Sequence, residues 1–329
     1  MKRTGESLST RGQNSAKINS MKQLNKNERA LFRLILNGKK AEIEAVRAAV
    51  YHLRDPERRI DVRVTWEKGD AIRMVQEAAA EGVARIIAAG GDGTLNEVVN
   101  GLMQLDRRDR PELALMPLGT ANDFAVACGI PADPGEALRL AVDGRGKRVD
   151  IARANDRYFI NVATGGFGAQ VSVDTPPLLK KYLGGIAYTL VALFKMLRYR
   201  HRRGQLRLEG LDLEGEAIAA AVCNGRQAGG GQLLAPDACI DDGFLDVTVI
   251  LPFPLRDIFR AIREIRHSER SGRYLKRFRT RWVESHPGET RSVNLDGEPY
   301  LADSIRFEVM PGEIDLILPE KSPCLCGDL

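Results

Sequence analysis

The chain has only four histidines, His52, His201, His267 and His286, and no two stand at ligand spacing. A histidine-built metal centre is therefore excluded, and surface positions are expected for all four. Cysteine is scarce as well: five in 329 residues, an odd number without the spacing of a disulfide framework. Cys128, Cys223 and Cys239 lie in apolar runs, which suits reduced thiols and a cytoplasmic location. Cys324 and Cys326 in the closing CLCGDL have no Cys or His close in sequence to complete a metal site, and an exposed, inert tail is expected. No uncharged run reaches the ~20 residues needed to span hydrocarbon. One such run, YLGGIAYTLVALF at 182–194, falls well short. The opening residues 1–30 are polar and basic and lack the apolar stretch of a secretory signal, so they read as a disordered extension. Neither the Walker-type phosphate loop nor the protein-kinase HRD set occurs, which excludes both of those phosphoryl-transfer schemes.

What is present is the composition of a folded protein, 43% hydrophobic and 28% charged. A mass of 36.3 kDa exceeds what one hydrophobic core usually serves, so two lobes are expected. The net charge of +5 favours an anionic partner, whether nucleotide, nucleic acid or acidic membrane face. From Leu31 strand-like and helix-like runs take turns: LFRLIL, then AEIEAVRAAVYHL, RIDVRVTW, AIRMVQEAAAEG, VARIIAA, LNEVVNGLMQL and ELALMPL. That alternation predicts βαβ units and a parallel sheet. After KRVDIARAN the pattern becomes short strand-like runs between turn residues, predicting a mainly β lobe, a sandwich. The expected organisation is an α/β lobe at 31–147, a β-sandwich lobe at 148–319 and a tail at 320–329.

At Gly90 to Thr94, GGDGT falls where a strand ends and a helix begins, the place where open α/β sheets bind ligands. Glycines there let the backbone approach phosphates, and Thr94 can cap the helix or bond a phosphate. An aspartate among amides that welcome anions makes sense if a divalent cation bridges carboxylate and phosphate. A tight structural turn is the competing explanation. A second strand end, PLGTANDFA, repeats Gly-Thr and an acid at a helix start, and two such adjacent ends form one crevice.

GGDGTLNE followed by PLGTANDFA resembles the diacylglycerol kinase catalytic superfamily. VTWEKGDA, NVATGGFGAQV, CNGRQAGGGQ, IDDGFLDV and NLDGEP extend the likeness, which is greatest to the bacterial YegS-type lipid kinases. The resemblance implies an α/β nucleotide lobe related to that of NAD kinases, a β-sandwich lobe, and a site in the cleft between them. It implies that Thr65, Gly91, Asp92, Gly93, Thr94, Leu95, Asn96, Glu97 and Thr120 hold ATP, with Asp92 facing phosphates and Mg²⁺. Asp123 and Asp150 would support that site through a carboxylate and water network, although a core or capping role suits Asp150 equally. The IDDGFLDV turn, a hairpin turn by its Asp-Gly alone, would hold a structural Mg²⁺ or Ca²⁺ through Asp242 and the carbonyls of Cys239 and Phe244. Glu298 in NLDGEP would be the general base; without the resemblance it reads as a solvated turn residue. The chain departs from the family after its first strand, where LILNGKKAE keeps Asn37 and Gly38 but has no proline and no second glycine, with Lys39 or Lys40 supplying charge instead.

The implied activity is ATP-dependent phosphorylation of a lipid hydroxyl, with phosphatidylglycerol or diacylglycerol as acceptor. An NAD kinase, which shares GGDGT, and a non-catalytic lipid or nucleotide sensor are the alternatives. The basic flanks of 182–194 suit either an interfacial helix on anionic lipid or a helix packed on the sandwich. Arginines interleaved with Tyr274, Phe278 and Trp282 suit a membrane-facing rim, a solvated helix or, last, RNA. Peripheral contact with an anionic membrane is expected and nucleic acid is not; a homo-oligomer is left open.

Overall fold

The computed structural model describes residues 31–56, 58–166, 202–267, 271–286 and 291–326. The basic opening segment and the run at 182–194 with its flanks as far as His201 lie outside them.

The first lobe is built from β1 (Leu31–Asn37), α1 (Glu44–Leu53), β2 (Arg59–Thr65), α2 (Asp70–Ala80), β3 (Arg85–Gly90), α3 (Asp92–Leu102), β4 (Glu112–Pro117), α4 (Asp123–Ala127) and α5 (Pro134–Asp143). β2, β1, β3 and β4 lie side by side, all parallel. Both faces of this sheet are covered over β1, β3 and β4, which is why those strands read as near-continuous apolar runs, while β2 at the edge alternates and is only partly buried. Ile35, Ile86, Leu113 and Leu115 face α2 and α3, while Leu34, Leu36, Ile87 and Met116 face α1 and α5. Two arginines are buried in that sheet: Arg33, held by Asp61 at 2.8 Å and Glu81 at 2.6 Å, and Arg85, held by Glu112 at 2.7 Å.

The second lobe begins at β5 (Gly146–Ala154) and continues through β6 (Arg157–Phe159), β7 (Val162–Gly166), β8 (Arg202–Leu208), β9 (Leu211–Ala217), β10 (Ala219–Cys223) and the short pair β11 (Gln227–Ala228) and β12 (Gln232–Leu233). It closes with β13 (Leu245–Ile250), α6 (Ile258–His267), β14 (Leu275–Thr280), β15 (Trp282–His286), β16 (Arg291–Leu295), β17 (Glu298–Ala302) and β18 (Ile305–Ile317). β14, β13, β10, β7, β16 and β17 form an antiparallel sheet. It packs on β5, β18, β15 and β8 through Phe159, Val222, Val247, Val283, Val293 and Phe307.

β18 joins the two lobes. Its first half pairs with β15 and β5, and its last residues lie parallel to β4, with Leu316 opposite Leu113. The ten-stranded sheet is therefore continuous across the molecule. A bulge between Met310 and Ile314, where Gly312 takes a φ of 59°, turns β18 from one lobe into the other.

The expectation of an exposed tail is corrected here. Cys324 is fully buried beside Cys128, the Ser322 hydroxyl donates to the Cys128 carbonyl, and Ile240 N–H donates to the Cys324 carbonyl. Cys326 is brought sulfur to sulfur with Cys239, where the sequence suggests a reduced thiol at 239 and an exposed tail at 326. Both partners, 128 and 239, are far away in sequence, which is why spacing did not reveal them. Of the histidines, His52 is exposed and His286 half-buried.

Candidate active site

Four strand ends converge on one crevice and are tied to one another by side chains. Asn37 at the end of β1 donates to Thr94 Oγ1 at 3.0 Å, and its own oxygen caps the following turn at Lys39 N. Gly38 N–H donates to Thr65 Oγ1 at 3.3 Å, linking β1 to β2. The Gly90 carbonyl accepts from Leu118 N–H at 2.7 Å, linking β3 to β4. Gly91 and Gly119 then meet back to back: a Cβ added at Gly119 would lie 2.6 Å from the Gly91 Cα. Only glycine at both positions lets the two loops approach this closely. Asn122, with a φ of 51°, holds the Gly119 turn by accepting from its N–H at 2.8 Å and donating to its carbonyl at 3.0 Å.

Asp92 is half-buried, and its carboxylate accepts the amides of Asp123 and Phe124, the first turn of α4. Burial pushes its pKa up, the charge of Asp123 pushes it further, and those amides pull it back. The Asp123 carboxylate reaches across to the second lobe, accepting Gly230 N–H at 2.9 Å and Gly231 N–H at 2.7 Å.

Glu298, at the start of β17, crosses the same crevice from the other side. Its Oε1 would be 3.8 Å from a Cβ on Gly93, so the carboxylate stands over the first turn of α3. Its Oε2 lies 3.1 Å from Lys68 Nζ. Glu97, one turn along α3 from Gly93, is pushed up by burial and then by Glu298, and accepts from the Gly69 amide. The fold thus brings Glu298 to Gly93 and Glu97, from which it is more than 200 residues away in sequence, while the Asp92 carboxylate beside them turns to the first turn of α4.

Other expected residues face differently. The Leu95 side chain is in the core, and Thr94 is buried under Asn37. Asn96 is buried and donates to Asp296 Oδ2 and the Tyr158 carbonyl, both at 3.2 Å, so its side chain joins the lobes. Thr65 is half-buried on the rim and Thr120 is exposed. Asp150 is a structural acceptor that binds Gly243 N–H at 2.7 Å and Gly312 N–H at 2.8 Å, which favours the core role.

Sequence reasoning missed Asp296 and Lys68. Asp296 is buried and takes Ile160, Asn161 and Val162 amides at 2.8–3.0 Å together with Asn96. Burial pushes it up to about 6 against those four donors. It sets the backbone two residues before Glu298. Both residues stand inside the quoted motifs, NLDGEP and VTWEKGDA, but nothing in their spacing shows that their side chains turn toward Glu298 or the β6–β7 junction.

In the IDDGFLDV turn, Asp242 Oδ1 accepts from Phe244 N–H at 2.9 Å and Oδ2 is ion-paired with Arg279. Arg279 and Arg281 both lie over the Phe244 ring. The Cys239 and Cys326 sulfurs and an Asp242 oxygen lie within 4.8 Å of one another. Burial pushes Asp242 up and pushes Asp246 up to about 6.

Residues 32–154 match the diacylglycerol kinase catalytic domain, and residues 161–318 match the YegS C-terminal NAD kinase beta sandwich-like domain. A probable lipid kinase YegS-like protein of Shewanella frigidimarina is 47% identical over 295 residues, covering 89% of this chain and 96% of that one. The chain belongs to the YegS-like lipid kinase family. A second YegS-like relative, from Pseudomonas aeruginosa, is 45% identical over 293 residues, 89% of this chain and 95% of its own. Among solved structures, a putative diacylglycerol kinase from Bacillus anthracis superposes with a TM-score of 0.71 at 28% identity, covering 89% of this chain and 98% of that one. The first family match spans every strand end that builds the crevice; the second contributes Glu298 and Asp296.

Proposed function

We propose that this lipid kinase transfers the γ-phosphate of ATP to a lipid hydroxyl, with phosphatidylglycerol or diacylglycerol as acceptor, while attached peripherally to an anionic membrane. The observation that supports it most is the position of Glu298 over the first turn of α3. A helix N-terminus favours phosphate oxygens, and a base within reach of the same place can take the proton of an attacking alcohol. The exposed Lys68–Glu298 pair contributes at most about 1 kcal/mol of stability, so its role is to orient the carboxylate. Thr65, Gly91, Gly93 and Thr120 border the space where the nucleotide would lie.

The donor chemistry fits Mg²⁺. Asp92 and Glu97 offer hard carboxylate oxygens, each pushed up by burial and by a second acid, Asp123 and Glu298 respectively. Asp92 is the group that would hold the ion, which when bound offsets the charge of the phosphates. A structural Mg²⁺ or Ca²⁺ at Asp242 with the carbonyls of Cys239 and Phe244 would have to displace Arg279 from that carboxylate.

Labelled ATP offered to the purified protein with phosphatidylglycerol, diacylglycerol and NAD separates the readings. Labelled lipid supports the proposal, labelled NADP replaces it with an NAD kinase, and no transfer leaves a sensor.

A further inference from the structure

Helix α6 and the turn Leu255–Asp257 before it sort their side chains by face. Inward, Ile258, Ala261 and Ile262 pack on Ile218, Phe253 and Tyr274. The acidic side chains are also turned to the body: Glu264 accepts Tyr274 N–H at 2.8 Å and Leu275 N–H at 3.3 Å, and Asp257 accepts the Tyr274 hydroxyl. Outward stand Leu255 and Phe259, four residues apart, 63% and 80% exposed. Beside them Arg256, Arg260 and Arg263 are exposed, and of these only Arg260 is ion-paired among the described residues, with Glu264. Two protruding apolar tips among cations, with every acid of the element drawn inward, match the charge and depth of an anionic lipid interface.

Sheet register extends this face. Ile250, Ala219 and Gly166 stand opposite one another along one end of the antiparallel sheet, and Gly165 lies opposite Val293. Val293 and Val249 face the sandwich core, so their neighbours Ser292 and Ile250 face outward. Leu301, opposite Ser292 and 70% exposed, is therefore on the same outer face and toward the same end as α6. It is three residues from Glu298.

We infer that the outer face of α6, led by Leu255 and Phe259 and flanked by Arg256, Arg260 and Arg263, is the surface that docks on an anionic bilayer. The inference rests on the lipid-kinase reading for its purpose but is tested by binding alone. Two other occupants fit worse. A second copy across a two-fold axis would set arginines against arginines. RNA would need several free aromatic faces to stack successive bases, whereas Phe259 stands alone here: Tyr274 is buried, Phe278 packs on the sandwich core and Trp282 lies under Arg306.

The test is flotation of the full chain with phosphatidylcholine vesicles, with and without phosphatidylglycerol. Binding is expected only with the anionic lipid, to weaken with salt, and to fall about tenfold or more in both Leu255→Ser/Phe259→Ser and Arg256→Gln/Arg263→Gln. Circular dichroism checks that both variants stay folded. Undiminished flotation of either variant, equal binding to neutral vesicles, or a loss confined to single-stranded RNA retention overturns the inference, as does a monomer–dimer shift in place of lost vesicle binding. Turnover on a short-chain, soluble phosphatidylglycerol or diacylglycerol is measured in parallel. Failure of docking leaves it intact, and failure of the kinase reading leaves flotation intact.

Discussion

Glu298 is held at its place by what lies beneath it. Replacing it by glutamine removes the proton acceptor while keeping its shape, and turnover is expected to fall ~10²–10⁴-fold with an unchanged melting temperature. Undiminished lipid phosphorylation by Glu298→Gln would refute the base assignment. Asp296 is the support, and its substitution is expected to act differently. One amide oxygen cannot replace two carboxylate oxygens facing four donors, so Asp296→Asn should cost roughly 2 kcal/mol or more in denaturant unfolding. Its titration carries a sign. Burial holds the folded pKa at about 6, above the ordinary 3.8, so the native state binds the proton more tightly than the unfolded chain. The contribution of this group to stability is therefore full below about pH 4, declines as pH rises to about 6 and is flat beyond, with a slope of at most ~1.4 kcal/mol per pH unit. Denaturant midpoints between those pH values should show a shallower decline in Asp296→Asn; an identical slope would mean another group, Asp246 foremost, is responsible.

At the scale of elements, β1, β3 and β4 were legible because burial on both faces leaves a long apolar run, the edge strand β2 because it alternates, and α1 to α3 because a half-buried cylinder repeats every three to four residues; α5 was not read. The turns between them were legible only as compositions. That GGDGT and PLGTAND touch is a fact of adjacent strands in register, Gly90 beside Pro117. Gly119→Ala tests that contact: its methyl would meet the Gly91 backbone at 2.6 Å, so the loops must part. We expect kcat/KM for ATP to drop by about tenfold to a hundredfold, with lipid flotation unchanged. The arginine-rich stretch at 262–282 was legible as basic and aromatic but not as separate elements. It divides into the end of α6, β14 and the start of β15; Tyr274 and Phe278 turn inward to pack, while Trp282 lies under Arg306.

At the scale of the molecule, β18 makes the two lobes mutually dependent. Ile314 and Leu316 near its end complete the core between the first sheet and α3, while Phe307 near its start fills the sandwich. Calorimetry should therefore give one transition, with calorimetric and van't Hoff enthalpies close to equal. A fragment ending at residue 154, which includes β1 to β5 but lacks β18, is expected to lack cooperative unfolding; two separate transitions, or a stably folded fragment, would contradict this.

The sequence by itself determined the two-lobe class, the strand and helix order of the first lobe as far as β4 and the helix start after it, and the motifs that carry the family. Those depend on local periodicity and on residue types that chemistry requires at short spacing. Only the tertiary structure decided that Asn96 faces Asp296, that Lys68 meets Glu298, that the tail is buried against Cys128 and Cys239, and that the last strand belongs to both lobes. Each of these is a contact between distant segments, and its partner is chosen by packing and by where unsatisfied donors find acceptors, which no stretch of the chain carries alone.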